Sequence, residues 1–380
     1  MTMEIDDKVW LSPSPREKQK SKRTKQITSV SSPTFSLTSR LIVALRIRPL
    51  NELERKQLNV FQCVYPIDEK DLVHKKITAP LVDYVVSGYN ATVFAYGPTG
   101  AGKTYTMVGT RQTPGLMYLL MQTLYEKIST DEFTVYISLL EIYNEVIRDL
   151  LNPSTDVLDL LEDENGSVQV PGLSRVKAPN TDKMMQILQE GNQHRTQEPT
   201  TANSSSSRSH ALLQITLYRN SVQHGRLFLI DLAGSERASQ TQNRGQRLKE
   251  GAAINRSLLA LGNVINALSS GDRSRYVNYR DSKLTRLLKD SLGGNSKTCM
   301  IAHVSPSSTH YDDTYNTLLY ADRAKNISNQ LIRNRRPNSA DERHTASIIK
   351  EIRKDIGVNG GDFDGIHHTV SATQRSQLKY

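Results

Sequence analysis

The sequence of 380 residues lacks several features that mark particular protein classes. It has only two cysteines, Cys63 and Cys299, which are too few for a disulfide-stapled scaffold and favour reduced thiols. No apolar run approaches the ~18 residues of a membrane span, and the acidic start lacks the basic head and apolar centre of a secretory signal. With a mean hydropathy of -0.50, the composition predicts a soluble, cytoplasmic chain without a membrane partner.

The charge is unbalanced toward the basic side. There are 49 lysines and arginines against 39 acidic residues, a net charge of +10, which predicts an acidic partner such as nucleic acid or an acidic protein polymer. No RNA-binding motif, zinc-finger spacing or basic zipper accompanies the charge, so we expect no nucleic acid. Residues 1–35 are rich in Ser, Pro, Lys and Arg and predict a disordered basic tail, either simply solvated or acting as an electrostatic tether.

A glycine-rich loop organises the rest of the chain. An apolar run at residues 92–96 leads into residues 97–104, which have the Gly-x-x-x-x-Gly-Lys-Thr spacing of a phosphate-binding loop. Its glycines admit backbone angles that let N–H groups surround a phosphate. Lys103 is expected to reach the β- and γ-phosphates, and the Thr104 hydroxyl is expected to bind Mg²⁺. This phosphate loop, residues 97–104, predicts a nucleoside triphosphate as ligand.

Strand and helix patterns alternate around the phosphate loop. Apolar runs predict strands at residues 41–45, 133–141, 211–218 and 226–231, and helical spacing predicts helices at 77–87, 116–128, 181–191 and 250–268. The alternation predicts a doubly wound α/β sheet. The strand at 226–231 ends in Asp231, a carboxylate suited to Mg²⁺, and Gly234 follows with an N–H that can reach a γ-phosphate.

Four sequence blocks together resemble a kinesin motor domain over most of residues 40–330. They are the phosphate loop, the polar run at 203–210, the segment 231–236, and Tyr-Arg-Asp-Ser-Lys-Leu-Thr-Arg at 279–286. Residues 311–318 and 323–327 look most like the kinesin-8 family, whose members walk toward microtubule plus ends and often shorten them.

The resemblance implies a fold and a domain organisation. The fold is that of a P-loop NTPase of kinesin type, α/β, with a central, mixed, mostly eight-stranded β-sheet flanked by α-helices on both faces. Residues 1–35 are the tail, 36–326 the motor domain, 327–334 the neck linker, and 335–380 a short neck helix with a disordered tail.

The resemblance also implies an ATP site with Mg²⁺. The cofactor-binding positions are Arg46, Arg48, Pro49, Gly97, Pro98, Thr99, Gly100, Ala101, Gly102, Lys103, Thr104 and Tyr105, of which Arg46 and Pro49 flank the adenine while Tyr105 stacks on it. The metal positions are Thr104, Ser207 and Asp231. The catalytic positions are Asn203, Ser206, Arg208, Gly234 and Glu236, with Arg208 and Glu236 forming an ion pair that closes the site around the attacking water.

The implied partner is the acidic surface of α/β-tubulin in a microtubule. The expected contacts are Arg237, Lys249, Tyr276, Arg280, Lys283 and Arg286. Ile327 is expected to anchor the neck linker and Asn334 to latch it. The complete protein is expected to form a homodimer through a stalk absent from this chain, and to lie on the microtubules of the cytoskeleton, with spindle and axoneme both open.

Two departures and two alternatives accompany this prediction. Pro98 removes one N–H from the phosphate loop, and the segment between Pro49 and Ile77 is shorter than in most kinesins. The sequence predicts a microtubule-stimulated ATPase with plus-end-directed movement and leaves plus-end depolymerisation open. The alternatives are a non-motile, nucleotide-switched microtubule-binding protein and a phosphate-loop enzyme that acts on nucleic acid.

Overall fold

The structure is a computed structural model that describes residues 37–50, 52, 54, 70–110, 112–153, 157–163, 166–196, 208–236, 246–271 and 276–334. All of these fall in one unit that ends at Asn334. The predicted tails at 1–35 and 335–380 lie outside the described residues, as do Asn203, Ser206, Ser207 and Arg237; Lys249 is placed by its backbone alone.

Twelve strands and eight α-helices are present in the described ranges. The strands are β1 (Leu37–Arg40), β2 (Ile42–Ile47), β3 (Asn90–Tyr96), β4 (Phe133–Tyr143), β5 (Val146–Asp149), β6 (Leu161–Glu162), β7 (Val168–Gln169), β8 (Val176–Lys177), β9 (His210–Arg219), β10 (Val222–Asp231), β11 (Lys297–Val304) and β12 (Ser328–Leu331). The helices are α1 (Lys70–Val73), α2 (Ala79–Val86), α3 (Lys103–Met107), α4 (Leu116–Lys127), α5 (Thr181–Thr196), α6 (Gln246–Ser269), α7 (Lys283–Leu287) and α8 (Tyr311–Ala324).

The central sheet is mixed and eight-stranded, which confirms the predicted architecture. Its strand order is β2-β11-β3-β10-β9-β4-β5, with β8 also paired to β4. The first four strands are parallel, and Asp231 at the end of β10 lies in register with Ala95 near the end of β3. Because parallel strands end at the same edge of a sheet, this register brings Asp231 beside the phosphate loop.

The sheet is covered on both faces. Along β3 the side chains of Val93 and Ala95 join one buried cluster with helices α2, α4 and α5, while Phe94 and Tyr96 join another with α6, α7 and α8. Successive side chains of a strand point to opposite faces, so a strand buried on both reads as a continuous apolar run. This explains why the apolar run of β3 was visible in the sequence.

The first helical segment begins earlier than predicted. The pattern predicts a helix from residue 77, but α1 starts at Lys70 and continues into a π-helical turn, His74–Thr78, before α2. Pro80 lies at the start of α2 and has no N–H to donate to the preceding turn. A wider turn is one way to accommodate that missing bond, and the His74 ring packs 3.1 Å from the Thr78 hydroxyl.

The sequence predicted only some of the twelve strands, and β11 and β1 are two that it missed. Strand β11 lies between β2 and β3 and is buried throughout most of its length. Strand β1 pairs antiparallel with β12, with Leu37 opposite Leu331, in a separate two-stranded sheet. Within the described ranges, no helix has the length and apolarity needed to cross a membrane.

Candidate active site

The phosphate loop has a backbone that only glycine adopts easily. Gly97, Gly100 and Gly102 have φ values of 147°, 77° and 91°. A Cβ on Gly97 would lie 2.1 Å from the carbonyl oxygen of His303, and one on Gly102 would lie 2.9 Å from an Arg46 nitrogen. Gly97 is therefore required both for its backbone conformation and for close packing, whereas Gly100 and Gly102 are required for their backbone conformation.

Lys103 is buried at the end of the phosphate loop. Its Nζ donates to the carbonyl oxygens of Gly97 at 2.8 Å and Pro98 at 2.9 Å. Burial lowers the pKa of Lys103, and the nearby carboxylates of Asp231 and Glu236 oppose that shift. The amine is thus held over the loop where a phosphate chain would accept its hydrogen bonds.

Asp231 and Thr104 form an oxygen pair suited to a magnesium ion. The Thr104 hydroxyl donates to Asp231 Oδ2 at 2.8 Å, whereas Asp231 Oδ1 is buried with no hydrogen-bond partner. A buried carboxylate oxygen without a partner is costly unless a cation or water satisfies it. Hydroxyl and carboxylate oxygens are the ligands that Mg²⁺ prefers, so these residues fit the predicted metal.

Arg195 is a site residue that the sequence did not reveal. It lies in the last turn of α5, and its Nη1 donates to Asp231 Oδ2 at 3.0 Å. The same guanidinium donates to the Ser209 hydroxyl at 3.2 Å and to the Ser209 carbonyl at 2.9 Å, with Glu141 at 4.0 Å. Arg195 therefore joins the predicted metal ligand to the segment that follows the polar run.

Glu236 bonds Thr99 in this structure. Its Oε2 accepts from the Thr99 N–H at 2.8 Å and its Oε1 from the Thr99 hydroxyl at 2.5 Å. The ion pair with Arg208 stays a prediction for the closed site. Gly234 permits this approach, since a Cβ there would lie 2.2 Å from the Thr99 hydroxyl.

The predicted adenine residues divide into two groups. The Arg46 guanidinium lies over the Tyr105 ring, 5.4 Å from its centroid, so these two side chains come together beside the phosphate loop. Arg48 instead forms a two-bonded ion pair with Glu54, at 2.7 Å and 2.5 Å. Tyr105 and Pro49 are therefore exposed, Arg46 is buried against Tyr105, and Arg48 has a partner elsewhere.

Four predicted partner contacts lie together on another surface. We call Tyr276, Arg280, Lys283 and Arg286 the track surface. Arg280 lies 3.7 Å from Glu162, Lys283 lies 3.1 Å from Asp159, and Arg286 donates to the Leu160 carbonyl at 3.3 Å. Lys289 also bonds Glu162 and holds the pKa of that carboxyl below its usual range. Asp159, just before β6, and Glu162 at its end are therefore the carboxylates that contact cations of the track surface.

The predicted neck-linker residues bracket β12. Ile327 is fully buried among the side chains between the sheet and α6. Asn334 donates from its N–H to the Gly88 carbonyl at 2.8 Å, and from Nδ2 to the His224 carbonyl at 2.9 Å and to Asn90 Oδ1 at 3.0 Å. The segment is thus fixed at both ends against the body of the fold.

A buried histidine contacts the phosphate loop through Thr106. His303 lies at the end of β11, and its Nε2 is 2.8 Å from the Thr106 hydroxyl, which in turn donates to the Gly102 carbonyl. Burial lowers the pKa of His303 to about 3. The ring is therefore neutral near pH 7, and nothing in the sequence around it pointed to this role.

Comparison with known protein families gives a match between residues 14–327 and the kinesin motor domain. The kinesin-like protein KIF19 of Xenopus laevis is 51% identical over 369 residues, covering 84% of this chain and 37% of that protein. KIF19 of Homo sapiens is 57% identical over 299 residues, covering 76% of this chain and 30% of that protein. The kinesin-like protein KIP3 of Saccharomyces cerevisiae is 52% identical over 296 residues, covering 74% of this chain and 36% of that protein. The chain spans about a third of the length of these curated relatives.

Solved structures give the same result. A KIF14 dimer, solved in the two-heads-bound state with AMP-PNP in complex with a microtubule, aligns with a TM-score of 0.72 and 33% identity, covering 81% of this chain and all of that one. A fast kinesin aligns with a TM-score of 0.69 and 37% identity, covering 80% and 96%. The kinesin-like protein KIN-8B of Arabidopsis thaliana is 44% identical over 350 residues, covering 80% of this chain and 43% of that protein. Because KIF19, KIP3 and KIN-8B are kinesin-8 proteins, the predicted kinesin-8 resemblance is confirmed.

Proposed function

This chain belongs to the kinesin motor-domain family, and we propose that it is a microtubule-stimulated ATPase that couples ATP hydrolysis to movement. One observation carries the proposal. Thr104, Asp231 and Glu236, from three separate sequence positions, all meet at the phosphate loop through hydrogen bonds of 2.8 Å or shorter. A structural relic of the fold has no need to keep a hydroxyl, a metal carboxylate and a second carboxylate in this arrangement.

The phosphates of ATP are held by the loop and by Lys103. On binding, the Lys103 amine exchanges the carbonyls of Gly97 and Pro98 for phosphate oxygens, which are stronger acceptors. Thr104 and Asp231 hold Mg²⁺, with Ser207 as a further ligand outside the described residues. The ion, when bound, neutralises charge that develops on the transferred phosphoryl group.

The Thr99 contact gives Glu236 a defined starting position. We propose that ATP binding releases Glu236 from Thr99 and that it then pairs with Arg208, closing the site around the attacking water. Gly234 contributes an N–H to the γ-phosphate, and Asn203 and Ser206 are assigned to the same phosphate. Positioning and charge stabilisation supply most of the acceleration in phosphoryl transfer, so an exchange of carboxylate partners is sufficient to switch activity.

The adenine is proposed to lie between Arg46 and Pro49 with Tyr105 stacked on it. Arg48 forms an ion pair with Glu54, and we assign it the structural role of holding the chain near Pro49 in place. Ile327 and Asn334 are proposed to dock the neck linker, residues 327–334, onto the motor domain, residues 36–326. Their burial and hydrogen bonds support a docked state.

The partner is proposed to be α/β-tubulin in a microtubule. The track surface, together with Arg237 and Lys249, offers the cations that an acidic polymer requires, and Tyr276 is 77% exposed beside them. Kinesin-8 membership extends the proposal to plus-end-directed movement and, as a second activity, to shortening of plus ends. A homodimer formed outside this chain, located on spindle or axonemal microtubules, completes the proposal.

Steady-state ATP turnover with and without polymerised tubulin tests the proposal. We expect strong stimulation by microtubules, none by DNA or RNA, and loss of both basal and stimulated turnover in Glu236→Ala. Turnover that microtubules leave unchanged contradicts the motor assignment and favours a passive microtubule binder. Stimulation by nucleic acid instead favours the other phosphate-loop enzyme.

A further inference from the structure

We propose that His210 is a positioning residue that couples the loop at Ala233 and Gly234 to helix α6, so that nucleotide state is passed to the helix through one imidazole ring. The inference rests on the proposed function, in which Lys249 of α6 contacts the microtubule, so that the nucleotide site and this helix need a connection. No motif predicted this role, since His210 entered the sequence prediction only as the end of the polar run at 203–210.

The ring of His210 bonds two different elements. His210 is the first residue of β9 and is 2% exposed. Its Nδ1 accepts from the Ala233 N–H at 3.0 Å, and its Nε2 lies 2.8 Å from the Ser257 hydroxyl. Ala233 follows the end of β10, whereas Ser257 lies in the middle of α6. One ring therefore bridges the loop of the nucleotide site and the helix.

The polarity of this bridge is fixed. A backbone N–H can only donate, so His210 Nδ1 must carry a lone pair. Burial, with the positive charges of Arg195 and Lys103, lowers the pKa of His210 to about 3, so the ring is neutral near pH 7. The single ring proton must then be on Nε2 and must be donated to Ser257. The His210 ring therefore has one tautomer, and its two hydrogen bonds have fixed donors and acceptors.

The bridge begins where the nucleotide acts. Ala233 is next to Gly234, whose N–H is assigned to the γ-phosphate in the proposed function. Ser209, which precedes His210, accepts from Arg195, and Arg195 bonds the metal carboxylate Asp231. His210 is thus attached to the phosphate side of the site through Ala233 and to the metal side through its own backbone neighbour.

The bridge ends on the sheet-facing side of α6. Ser257 is 2% exposed, and its neighbours Leu258 and Leu261 pack in the core, whereas Leu259 is 61% exposed. The apolar contacts of this face are non-directional, but the His210 bond fixes a particular position along the helix. A displacement of Ala233 is therefore transmitted to α6 because the connecting ring is rigid, buried and bonded at both ends.

Nucleotide-dependent hydrogen exchange in α6 tests the coupling without microtubules. Exchange of α6 amides is compared between Mg-ADP and Mg-AMP-PNP in the wild type, Ser257→Ala and His210→Asn. We expect a clear nucleotide-dependent difference in the wild type that shrinks by about fivefold or more in Ser257→Ala, the low end of typical coupling factors. His210→Asn keeps an acceptor near Ala233 but is too short to reach Ser257, so it should behave in the same way.

Ser291→Ala is the matched control. It removes a hydroxyl that is equally buried, at 1% exposure, and that lies 2.8 Å from the Thr92 hydroxyl inside the sheet. A merely structural role for Ser257 predicts that both serine variants keep the nucleotide-dependent exchange. That result, or a wild-type α6 that does not respond to nucleotide, overturns the inference.

Microtubule-stimulated turnover separates the two proposals. We expect Ser257→Ala to keep its basal turnover within about twofold of the wild type and to lose about fivefold of its stimulation. If microtubules do not stimulate the wild type, the proposed function fails, while the exchange comparison still decides the role of His210. If stimulation and α6 exchange are both unchanged in Ser257→Ala, the proposed function stands and the role of His210 is refuted.

Discussion

The nucleotide site and the track surface are built from the same residue types in opposite environments. At the nucleotide site, Asp231 is 0% and Arg195 is 5% exposed, and their ion pair is 3.0 Å long. On the track surface, Lys283 and Asp159 form a pair of similar length, 3.1 Å, but the Asp159 side chain is 83% exposed. A buried charge must keep its partner, whereas an exposed pair is screened by water and salt and is easily exchanged. We therefore expect ATP turnover to depend on fixed contacts, and the proposed binding to microtubules to depend on exchangeable ones.

The largest expected effect comes from breaking the buried pair. Arg195→Ala leaves Asp231 buried without its cation, so the free energy of unfolding should fall by about 3–5 kcal/mol. The matched control is Arg219→Ala, which breaks a 2.8 Å pair with Glu132 whose side chains are 33% and 55% exposed. We expect that loss to be below about 1 kcal/mol. Urea unfolding of both variants makes the measurement, and equal losses contradict the contrast between the two environments.

Lys103→Ala tests the catalytic side of the same contrast. Removing the buried amine takes away one preorganised cation at the phosphates, so ATP turnover should fall by about 10²–10³-fold. Lys127→Ala, which breaks a surface pair with Asp83, should leave turnover unchanged. Phosphate release gives the rates. If turnover of the Lys103→Ala variant stays within a few-fold of the wild type, the phosphates do not bind at Lys103.

The pH dependence of stability reports on the buried histidines. The pKa values of His210 and His303 are lowered from 6.5 to about 3 by burial, so the unfolded chain binds protons that the folded chain does not. The free energy of unfolding should have its full value above about pH 6.5. It should fall by about 1 kcal/mol per pH unit for each ring as the pH is lowered toward 3.

Substitution separates the two contributions. Urea unfolding gives the loss in free energy of unfolding between pH 7.5 and pH 5.5. With equal contributions from the two buried rings, His303→Gln should reduce this loss by about half. His310→Gln, at a partly exposed position, is the control and should not change it. A decline that persists in full in His303→Gln shows that other groups cause it.

The smallest expected effects lie on the track surface, and they have opposite signs. Lys283→Ala should raise the KM for microtubules about threefold, since one cation facing the acidic partner is lost. Asp159→Asn should lower it by about twofold, because the carboxylate that competes for Lys283 becomes neutral. Turnover measured against microtubule concentration gives both values. Changes of the same sign in both variants indicate that the pair acts as a structural unit.

Local signals made the nucleotide site predictable. The phosphate loop and Asp231 were found because their spacing and their position after apolar strands are written in short segments. Arg195 was not found, since its role arises only when the end of α5 meets the end of β10 in space. Nothing in the residues around Arg195 distinguishes it from an ordinary basic residue in the last turn of a helix.

Part of the fold was also predictable from the sequence. Helices α4 and α6 and strands β4, β9 and β10 match the predicted segments within a few residues. Strand β11 was missed although its apolar run at residues 299–302 is a clear signal, and β1 was missed because a four-residue strand depends on its distant partner β12. The ion pair of Glu236 was predicted for a closed site, whereas the carboxylate here bonds Thr99. Switching residues have more than one partner, and sequence alone does not select among them.

The salt dependence of turnover tests the central contrast most directly. Basal kcat and the KM for microtubules are measured at about 0.05 M and about 0.15 M ionic strength, where screening shortens the reach of exposed charges. We predict that basal kcat is unchanged, because its ion pairs are buried, and that the KM for microtubules rises several-fold. A basal kcat that falls with salt while the KM for microtubules stays constant contradicts the assignment of fixed chemistry to the buried site and exchangeable contacts to the track surface.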